Sequence, residues 1–313
     1  MKVLVAAPLE PFLRRTVVPP GIEVELLAEG AALPEGEYVG IVPLLTRRLG
    51  EAELGRLPGL RIVANFAVGF DNVDVAAARA RGIAVSNTPG VLTEATAELT
   101  WALILAAARR VPEGEALVRG GEWTGWAPTQ LLGMGLGGKV LGLLGAGRIA
   151  QAVARRAPAF GLRVRYWSRT RRPAWEAECG VEWRALAALL AEADVLSLHL
   201  ALSPETERII GREALARMKA GAVLVNTARG GLVDEEALVA ALRSGRLRAA
   251  GLDVYAAEPL VPPGLRELPN VVLLPHLGSA TEEARQGMWD LAWQNLLRVL
   301  SGGEPLTPVI EGR

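Results

Sequence analysis

The segment Gly142-Leu143-Leu144-Gly145-Ala146-Gly147-Arg148-Ile149-Ala150 joins an apolar strand pattern to an alanine-rich helix pattern. Its G-x-G-x-x-A spacing in that context predicts a dinucleotide-binding turn. Gly145 permits the tight turn, Gly147 lets a pyrophosphate approach backbone N–H groups, and Ala150 lets the helix pack closely on the strand. The positive end of the helix dipole favours the phosphates. We therefore expect a Rossmann-type domain around this turn.

The residues about twenty positions after the turn bear on the choice of dinucleotide. A site specific for NAD usually offers an Asp or Glu there, but this chain offers Ser168, Arg169 and Thr170, followed by two more arginines. A hydroxyl and guanidinium groups can hold a 2′-phosphate. We expect NADP(H) to be preferred, while NAD(H) can also serve. The alternative is that these arginines form a solvated loop and that the cofactor choice is loose.

Strand-like and alanine-rich helical patterns alternate along all 313 residues, which is typical of parallel α/β structure. The pattern predicts about five strands in residues 1–95 and six in residues 96–279. Ser279-Ala280-Thr281-Glu282 is read as a capping box that opens a last helix, which returns to the first domain. The prediction is two doubly wound α/β domains. A Rossmann-type dinucleotide-binding domain (96–279) is inserted in a discontinuous flavodoxin-like substrate domain (1–95 with 280–313).

Composition narrows the range of functions. The 34 basic residues balance the 34 acidic ones, so no overall field attracts nucleic acid or an anionic membrane. The single cysteine, Cys179, excludes an internal disulfide and a thiolate cluster for zinc or iron–sulfur, and we expect no metal. No apolar run is long enough for a signal peptide or a membrane span. We expect a soluble, cytoplasmic protein with neither nucleic-acid nor membrane partners.

Three polar residues, Arg229, Glu258 and His276, each come shortly after a predicted strand of the second domain. An open α/β sheet binds its ligands at the carboxyl ends of its strands. Because the three strands are consecutive in the predicted core, we expect the three side chains to lie near one another.

The chain resembles a known family over nearly its whole length. The segments around the three polar residues, the glycine turn and the segment Asn65–Asp74 are similar to the D-2-hydroxyacid dehydrogenases. Within that family the similarity is strongest to the glyoxylate/hydroxypyruvate reductases, through Ala67-Val68-Gly69-Phe70-Asp71-Asn72, Tyr166-Trp167-Ser168-Arg169-Thr170-Arg171 and His276-Leu277-Gly278-Ser279-Ala280. The resemblance implies NAD(P)H-dependent reduction of glyoxylate or hydroxypyruvate to glycolate or D-glycerate by a homodimer.

The resemblance also implies catalytic roles, which chemistry supports. Reduction of a 2-oxo acid needs a proton for the carbonyl oxygen and a cation for the carboxylate. Arg229, with its planar fork of donors, would bind the carboxylate and polarise the carbonyl. His276 would donate the proton, because histidine ordinarily titrates near neutral pH. Glu258 would orient His276 and stabilise its imidazolium form.

Further binding residues follow from the same resemblance. The backbone N–H groups of Val68 and Gly69 would hold the substrate carboxylate, and Leu44 would form an apolar wall beside its C3 end. Asp253 would meet the nicotinamide carboxamide. The predicted dinucleotide contacts are Gly145, Gly147, Arg148, Ile149, Ser168, Arg169, Thr170, Thr96 and Asp253.

Two other functions stay open. A 3-phosphoglycerate dehydrogenase of the same family would need extra cations for the substrate phosphate, and Arg47, Arg48 and Arg79 are available in the first domain. A dinucleotide-sensing scaffold of corepressor type would not need the complete Arg–Glu–His set. Trp123 and Trp126, in a stretch rich in glycine and proline, indicate either a subunit interface or packing under a loop.

Overall fold

The computed structural model describes residues 1–309. The chain divides into two compact units. Unit 1 consists of Met1–Leu92 and the chain from Ala280 onward, and unit 2 of Thr93–Ser279. The division predicted from the sequence, 1–95 with 280–313 and 96–279, stays a prediction, and the long helix near its first boundary begins at Thr93.

Unit 1 contains a parallel sheet of five strands within residues 1–309, in the order β2-β1-β3-β4-β5. This is the flavodoxin-like strand order, as expected. The interior strand β1 is an apolar run with Val3, Leu4 and Val5 fully buried, as required of a parallel strand covered on both faces. The strands are β1 (Lys2–Ala6), β2 (Glu23–Leu27), β3 (Tyr38–Val42), β4 (Ile62–Ala64) and β5 (Ala84–Ser86), and the helices between them are α1 (Glu10–Leu13), α2 (Glu51–Gly55) and α3 (Val75–Ala80).

Unit 2 contains a parallel sheet of seven strands in the described chain, in the order β12-β11-β10-β9-β6-β7-β8. Six of them have the dinucleotide-fold order, with the glycine turn following the first strand, β6. The sequence predicted six strands and missed β8, a two-residue edge strand too short to produce a pattern. The strands are β6 (Val140–Leu144), β7 (Arg163–Trp167), β8 (Glu182–Trp183), β9 (Val195–Leu198), β10 (Ala222–Asn226), β11 (Leu247–Leu252) and β12 (Val271–Leu273).

Helices cover the sheet of unit 2. The first, α4, has a buried stripe of small and apolar side chains, and Leu103 lies so close to β11 that a Cβ on Gly251 would approach the Cβ of Leu103 to 3.0 Å. The helices are α4 (Thr93–Arg109), α5 (Val111–Arg119), α6 (Arg148–Arg156), α7 (Pro173–Cys179), α8 (Leu186–Glu192), α9 (Arg212–Arg217), α10 (Glu235–Arg243) and α11 (Pro263–Arg266).

The last helix, α12 (Glu282–Leu300), packs on the sheet of unit 1. A Cβ on Gly40 of β3 would lie 2.6 Å from the side chain of Leu296, so the helix sits directly on the strand. The predicted cap at Ser279 was wrong. Thr281 is the N-cap, because its backbone is extended there and its hydroxyl accepts the N–H of Ala284 at 3.1 Å. Neither α12 nor any other helix in residues 1–309 has the length and apolar character needed to cross a bilayer.

Candidate active site and dinucleotide-binding turn

The turn between β6 and α6 has the geometry that its glycines predict. Gly145 has a φ of +120°, which residues with a side chain rarely adopt. A Cβ there would lie 2.4 Å from the carbonyl oxygen of His199. Its N–H donates to the carbonyl of Trp167 at 2.8 Å. Gly145 therefore brings the backbone that follows β6 against the end of β9, and only glycine fits.

The start of α6 fits a dinucleotide pyrophosphate. Gly147 is the N-cap and supplies no side-chain cap, so the first N–H groups of the helix, including those of Arg148 and Ile149, stay available. A Cβ on Gly147 would meet no atom within 4 Å, so a methyl group would extend into the space that an approaching phosphate needs. Ala150 is fully buried against the sheet, which agrees with its predicted packing role.

The arginines in the segment after β7 differ in their contacts, although the sequence grouped them together. Arg171 donates to both carboxylate oxygens of Glu176, with Nε–Oε1 at 2.8 Å. Ser168 donates to the carbonyl of Thr170 at 2.7 Å, which folds the segment into a tight turn. Arg169 is exposed and makes no hydrogen bond or ion pair with the described chain. Arg169 is thus the better placed of these two guanidinium groups for a 2′-phosphate, since Arg171 is engaged.

The structure brings together the imidazole and the carboxylate predicted from the sequence. Nδ1 of His276 and Oε2 of Glu258 are 2.8 Å apart, in hydrogen-bond contact. The two side chains are 26% and 27% exposed, so a small ligand can reach them. A carboxylate can only accept, and Nδ1 is therefore the donor, which leaves Nε2 outside this bond.

Glu258 is held in its charged form by its neighbours. Desolvation alone would raise the pKa of its carboxyl, but hydrogen bonds from His276 and from the backbone N–H of Tyr255, with the positive charges of His276 and Arg229, hold that pKa below its ordinary value. The N–H of Tyr255 is 3.0 Å from Oε1. The positive charge of Arg229 thus acts on the carboxylate of Glu258, whereas its role in catalysis stays a prediction.

The loop that carries Arg229 is fixed by a buried amide. Asn226, the last residue of β10, donates to the carbonyl of Arg229 at 2.8 Å and accepts the N–H of Ala228 at 3.0 Å. Gly230 allows this loop to touch the one after β11, because a Cβ there would lie 1.9 Å from the carbonyl carbon of Tyr255. Sequence reasoning missed both residues, although a polar residue at the end of an otherwise apolar strand is a usable signal.

Asp253 and Thr96 hold the backbone next to the imidazole. The two carboxylate oxygens of Asp253 accept the N–H groups of Leu277 at 2.6 Å and Gly278 at 2.8 Å, and its carbonyl accepts the N–H of His276 at 2.8 Å. Thr96 donates to the carbonyl of Gly278 at 2.8 Å. Burial raises the pKa of Asp253, although these hydrogen bonds oppose the change. The predicted nicotinamide and ribose contacts of these two residues stay predictions.

In unit 1, side-chain amides fix the loop that follows β4. Asn65 donates to the carbonyl of Gly69, and Asn87 to that of Val68, each at 2.8 Å. Within residues 1–309, neither Val68 nor Gly69 donates its own backbone N–H, which is compatible with an anion-binding loop. Leu44 is half-buried and lines a cavity of about 510 Å³ in the same unit. Substrate binding by these three residues stays a prediction.

The second histidine of the chain is unsuited to proton transfer. His199 follows β9, and its Nε2 is 2.9 Å from the hydroxyl of Ser197. Desolvation of the ring lowers the pKa of His199 to about 3, so the ring is neutral at neutral pH.

The fold and this site define an oxidoreductase with an NAD-binding domain. Residues 101–278 match the family described as D-isomer specific 2-hydroxyacid dehydrogenase, NAD binding domain. The chain belongs to the D-isomer specific 2-hydroxyacid dehydrogenase family.

Similar proteins agree with this assignment. Glyoxylate reductase of Thermococcus litoralis is 48% identical over 294 residues, covering 90% of this chain and 89% of the relative. Glyoxylate reductase of Aeropyrum pernix is 54% identical over 274 residues, covering 86% and 82%. Among solved structures, the NADPH-dependent glyoxylate/hydroxypyruvate reductase of Sinorhizobium meliloti, in complex with NADP and malonate, is 37% identical, with a TM-score of 0.90 and coverage of 99% and 97%.

Proposed function

We propose that this protein reduces glyoxylate and hydroxypyruvate to glycolate and D-glycerate. The observation that carries the proposal is the 2.8 Å hydrogen bond between Nδ1 of His276 and Oε2 of Glu258 at the carboxyl edge of an NAD-binding sheet, within the electrostatic reach of Arg229. The relatives named glyoxylate reductase support the choice of a small 2-oxo acid.

The proposed reaction adds a hydride to the carbonyl carbon and a proton to the carbonyl oxygen. A reduced nicotinamide supplies the hydride when it is bound. His276 donates the proton from Nε2 while Glu258 accepts a hydrogen bond from Nδ1 and stabilises the imidazolium form. Arg229 neutralises the substrate carboxylate and polarises the carbonyl with its planar donors.

A substrate screen tests the proposal against its rivals. Steady-state rates with glyoxylate, hydroxypyruvate, pyruvate and 3-phosphohydroxypyruvate are measured with each reduced dinucleotide. Of the arginines available for a substrate phosphate, Arg47 is already engaged, because its guanidinium donates to the carbonyls of Ala31 and Ala28, at 2.9 and 3.2 Å. Turnover of 3-phosphohydroxypyruvate alone would establish the phosphoglycerate reaction instead. Absence of dinucleotide oxidation with every acid would favour the corepressor-like scaffold.

A matched pair of variants tests the site. Glu258→Gln removes the charge that faces His276, and Glu236→Gln removes a charge from an exposed position of α10. We expect kcat to fall about a hundredfold in Glu258→Gln and to stay unchanged in Glu236→Gln. Equal turnover in the two variants would contradict the assigned role of Glu258.

We also propose a preference for NADP(H), carried by Arg169. Its guanidinium is exposed and makes no hydrogen bond or salt bridge within residues 1–309, although its positive charge acts on the carboxylate of Glu205, and Ser168 folds the adjacent turn. Arg169→Ala should lower kcat/KM for NADPH by about tenfold, as expected for one charge-assisted hydrogen bond, without changing kcat/KM for NADH. Arg163→Ala, at the opposite end of β7, is the control. Equal losses with both dinucleotides in Arg169→Ala would contradict a 2′-phosphate contact.

The homodimer is a further part of the proposal. Trp123 and Trp126 are 53% and 82% exposed, which contradicts packing under a loop and supports a subunit interface. Val118 of α5 adds an exposed apolar side chain in the same region of the sequence. Light scattering should give twice the chain mass for the wild type and a single chain mass for Trp126→Asp. A wild type of single chain mass would contradict the dimer. The cytoplasmic location stays a prediction.

A further inference from the structure

A second carboxylate, Glu235, holds the loop that carries Glu258. Glu235 is the first residue of α10, after the N-cap Asp234. Its Oε1 accepts the backbone N–H of Ala256 at 2.9 Å, while Oε1 of Glu258 accepts the N–H of Tyr255, the preceding residue, at 3.0 Å. Two carboxylates therefore accept hydrogen bonds from adjacent peptide N–H groups of one loop. Glu258 belongs to that loop, and Glu235 belongs to the neighbouring helix.

The two carboxylates also act on each other. Burial raises the pKa of Glu235, the negative charge of Glu258 raises it further, and the N–H of Ala256 opposes the change. Tyr255 has its pKa raised to about 12 by burial and then by the negative charges of Asp253, Glu258 and Glu235. The negative charge of Glu235 thus interacts with Glu258 and with Tyr255, which lie beside the proton donor.

We propose that Glu235 is a positioning residue for the proton donor: it fixes the loop of Glu258 through the N–H of Ala256, and its carboxylate adds a negative charge beside the Glu258–His276 pair. The inference rests on the proposed function, because it is the protonated pair that delivers the proton. A nearby negative charge favours the cationic form of an imidazole, and it favours protonation of a neighbouring carboxylate. Both effects act on the pair in the same direction, whichever partner holds the proton.

The other charged or titratable groups around the pair are Arg229, Asp253 and Tyr255. Arg229 opposes Glu235, because its positive charge lowers the pKa of Glu258. The negative charge of Asp253 acts in the same direction as that of Glu235. Substitution of Glu235 leaves all three in place, and a change in the titration of the pair then reports the charge of Glu235 alone.

Three variants separate charge from hydrogen bonding. Glu235→Gln keeps the size and an acceptor oxygen for the N–H of Ala256 but removes the charge. Glu235→Ala removes both. Glu236→Gln removes a charge from the next residue of α10, which is exposed. Each is measured by the pH dependence of glyoxylate reduction and by NMR titration of the imidazole. His199 does not interfere with the NMR titration, because desolvation lowers its pKa to about 3 and its ring stays neutral near neutral pH.

In Glu235→Gln we expect the NMR midpoint, and the alkaline fall of kcat/KM, to move to lower pH by about half a pH unit, as expected for one charge removed from a partly solvated site. The low-pH plateau should stay at the wild-type level. Above the midpoint this displacement lowers kcat/KM about threefold. Glu236→Gln should give the wild-type midpoint. Glu235→Ala should show the same displacement and, in addition, a several-fold lower kcat on the plateau with KM for the dinucleotide unchanged.

A midpoint in Glu235→Gln equal to that of the wild type would overturn the electrostatic part of the inference. A plateau kcat in Glu235→Ala equal to that of Glu235→Gln would overturn the positioning part. Because the NMR midpoint does not depend on turnover, a displaced midpoint in a protein that reduces no 2-oxo acid would refute the proposed function while confirming the coupling. If Glu235→Ala does not fold, Glu235→Gln still tests the electrostatic part, because it retains the acceptor for the N–H of Ala256.

Discussion

The side chain of Asp253 holds the turn next to His276 by two hydrogen bonds, and its replacement by Asn removes one of them. The carboxylate is fully buried and accepts two backbone N–H groups, at 2.6 and 2.8 Å. In Asp253→Asn, the amide keeps one acceptor but turns its own N–H toward the second backbone N–H. A hydrogen bond to a charged acceptor contributes about 1.5–3 kcal/mol, and a buried unsatisfied donor costs about 1–3 kcal/mol. We expect the free energy of unfolding to fall by about 2–4 kcal/mol.

The same change should lower turnover. His276 has a φ of +56°, in the left-handed region that costs a residue other than glycine about 1 kcal/mol. The hydrogen bonds from the two following N–H groups to Asp253 hold that conformation. If the conformation that places the imidazole loses 1–3 kcal/mol, the fraction of enzyme in that conformation falls by roughly fivefold to 150-fold, and kcat falls with it.

The assay compares Asp253→Asn with Asp290→Asn, an exposed position on α12. Urea unfolding followed by circular dichroism gives stability, and saturating glyoxylate and NADPH give kcat. The control should match the wild type in both measurements. The reasoning is refuted if Asp253→Asn unfolds at the wild-type urea concentration and retains wild-type kcat, because the two hydrogen bonds would then contribute neither stability nor order.

Three further outcomes are expected. Gly145→Ala should destabilise by about 3 kcal/mol in thermal melting, because of its φ of +120° and the 2.4 Å approach to His199. Gly147→Ala, which meets no atom within 4 Å, should melt normally but bind NADPH about tenfold more weakly by fluorescence titration. Asp194→Asn should lose about 2 kcal/mol at pH 7, because Lys219 donates to its carboxylate at 2.7 Å. This difference should shrink only below the ordinary pKa of an aspartate: desolvation opposes ionisation, but the partners hold the pKa of Asp194 below that value, so its contribution is lost as pH falls through the folded-state pKa.

The fold could be predicted because parallel strands covered on both faces must be apolar along their whole length. Every residue of β6 and β10 is buried, and both appear in the sequence as continuous apolar runs. The two-residue strand β8 could not be found this way, because Glu182 is exposed and no apolar run marks it. The helix cap at Thr281 was missed for another reason. Ser279 and Thr281 are both good caps, and only the backbone conformation chooses between them.

The candidate site was predictable in its reactive groups but not in the residues that hold them. An arginine, a glutamate and a histidine after successive strands have few other uses in this fold. Asp253 and Thr96, in contrast, act on backbone atoms of a loop distant in sequence, and no local pattern reports such a contact. The ion pair between Arg171 and Glu176 could not be predicted from the sequence either, because it depends on how the start of α7 folds back on β7.

The register of the sheet explains why the loop of Glu258 needs more support than the other two. Asn226, Leu252 and Leu273 are aligned across β10, β11 and β12. His276 and Arg229 each lie three residues beyond this line, whereas Glu258 lies six residues beyond it. A longer loop loses more backbone entropy when it is fixed in one conformation. It therefore needs hydrogen bonds at intermediate residues. The N–H groups of Tyr255 and Ala256 are those points, and a carboxylate accepts each of them. If Glu235 did not hold the second, the longest of the three loops would be the least restrained, although it carries the group that orients the imidazole.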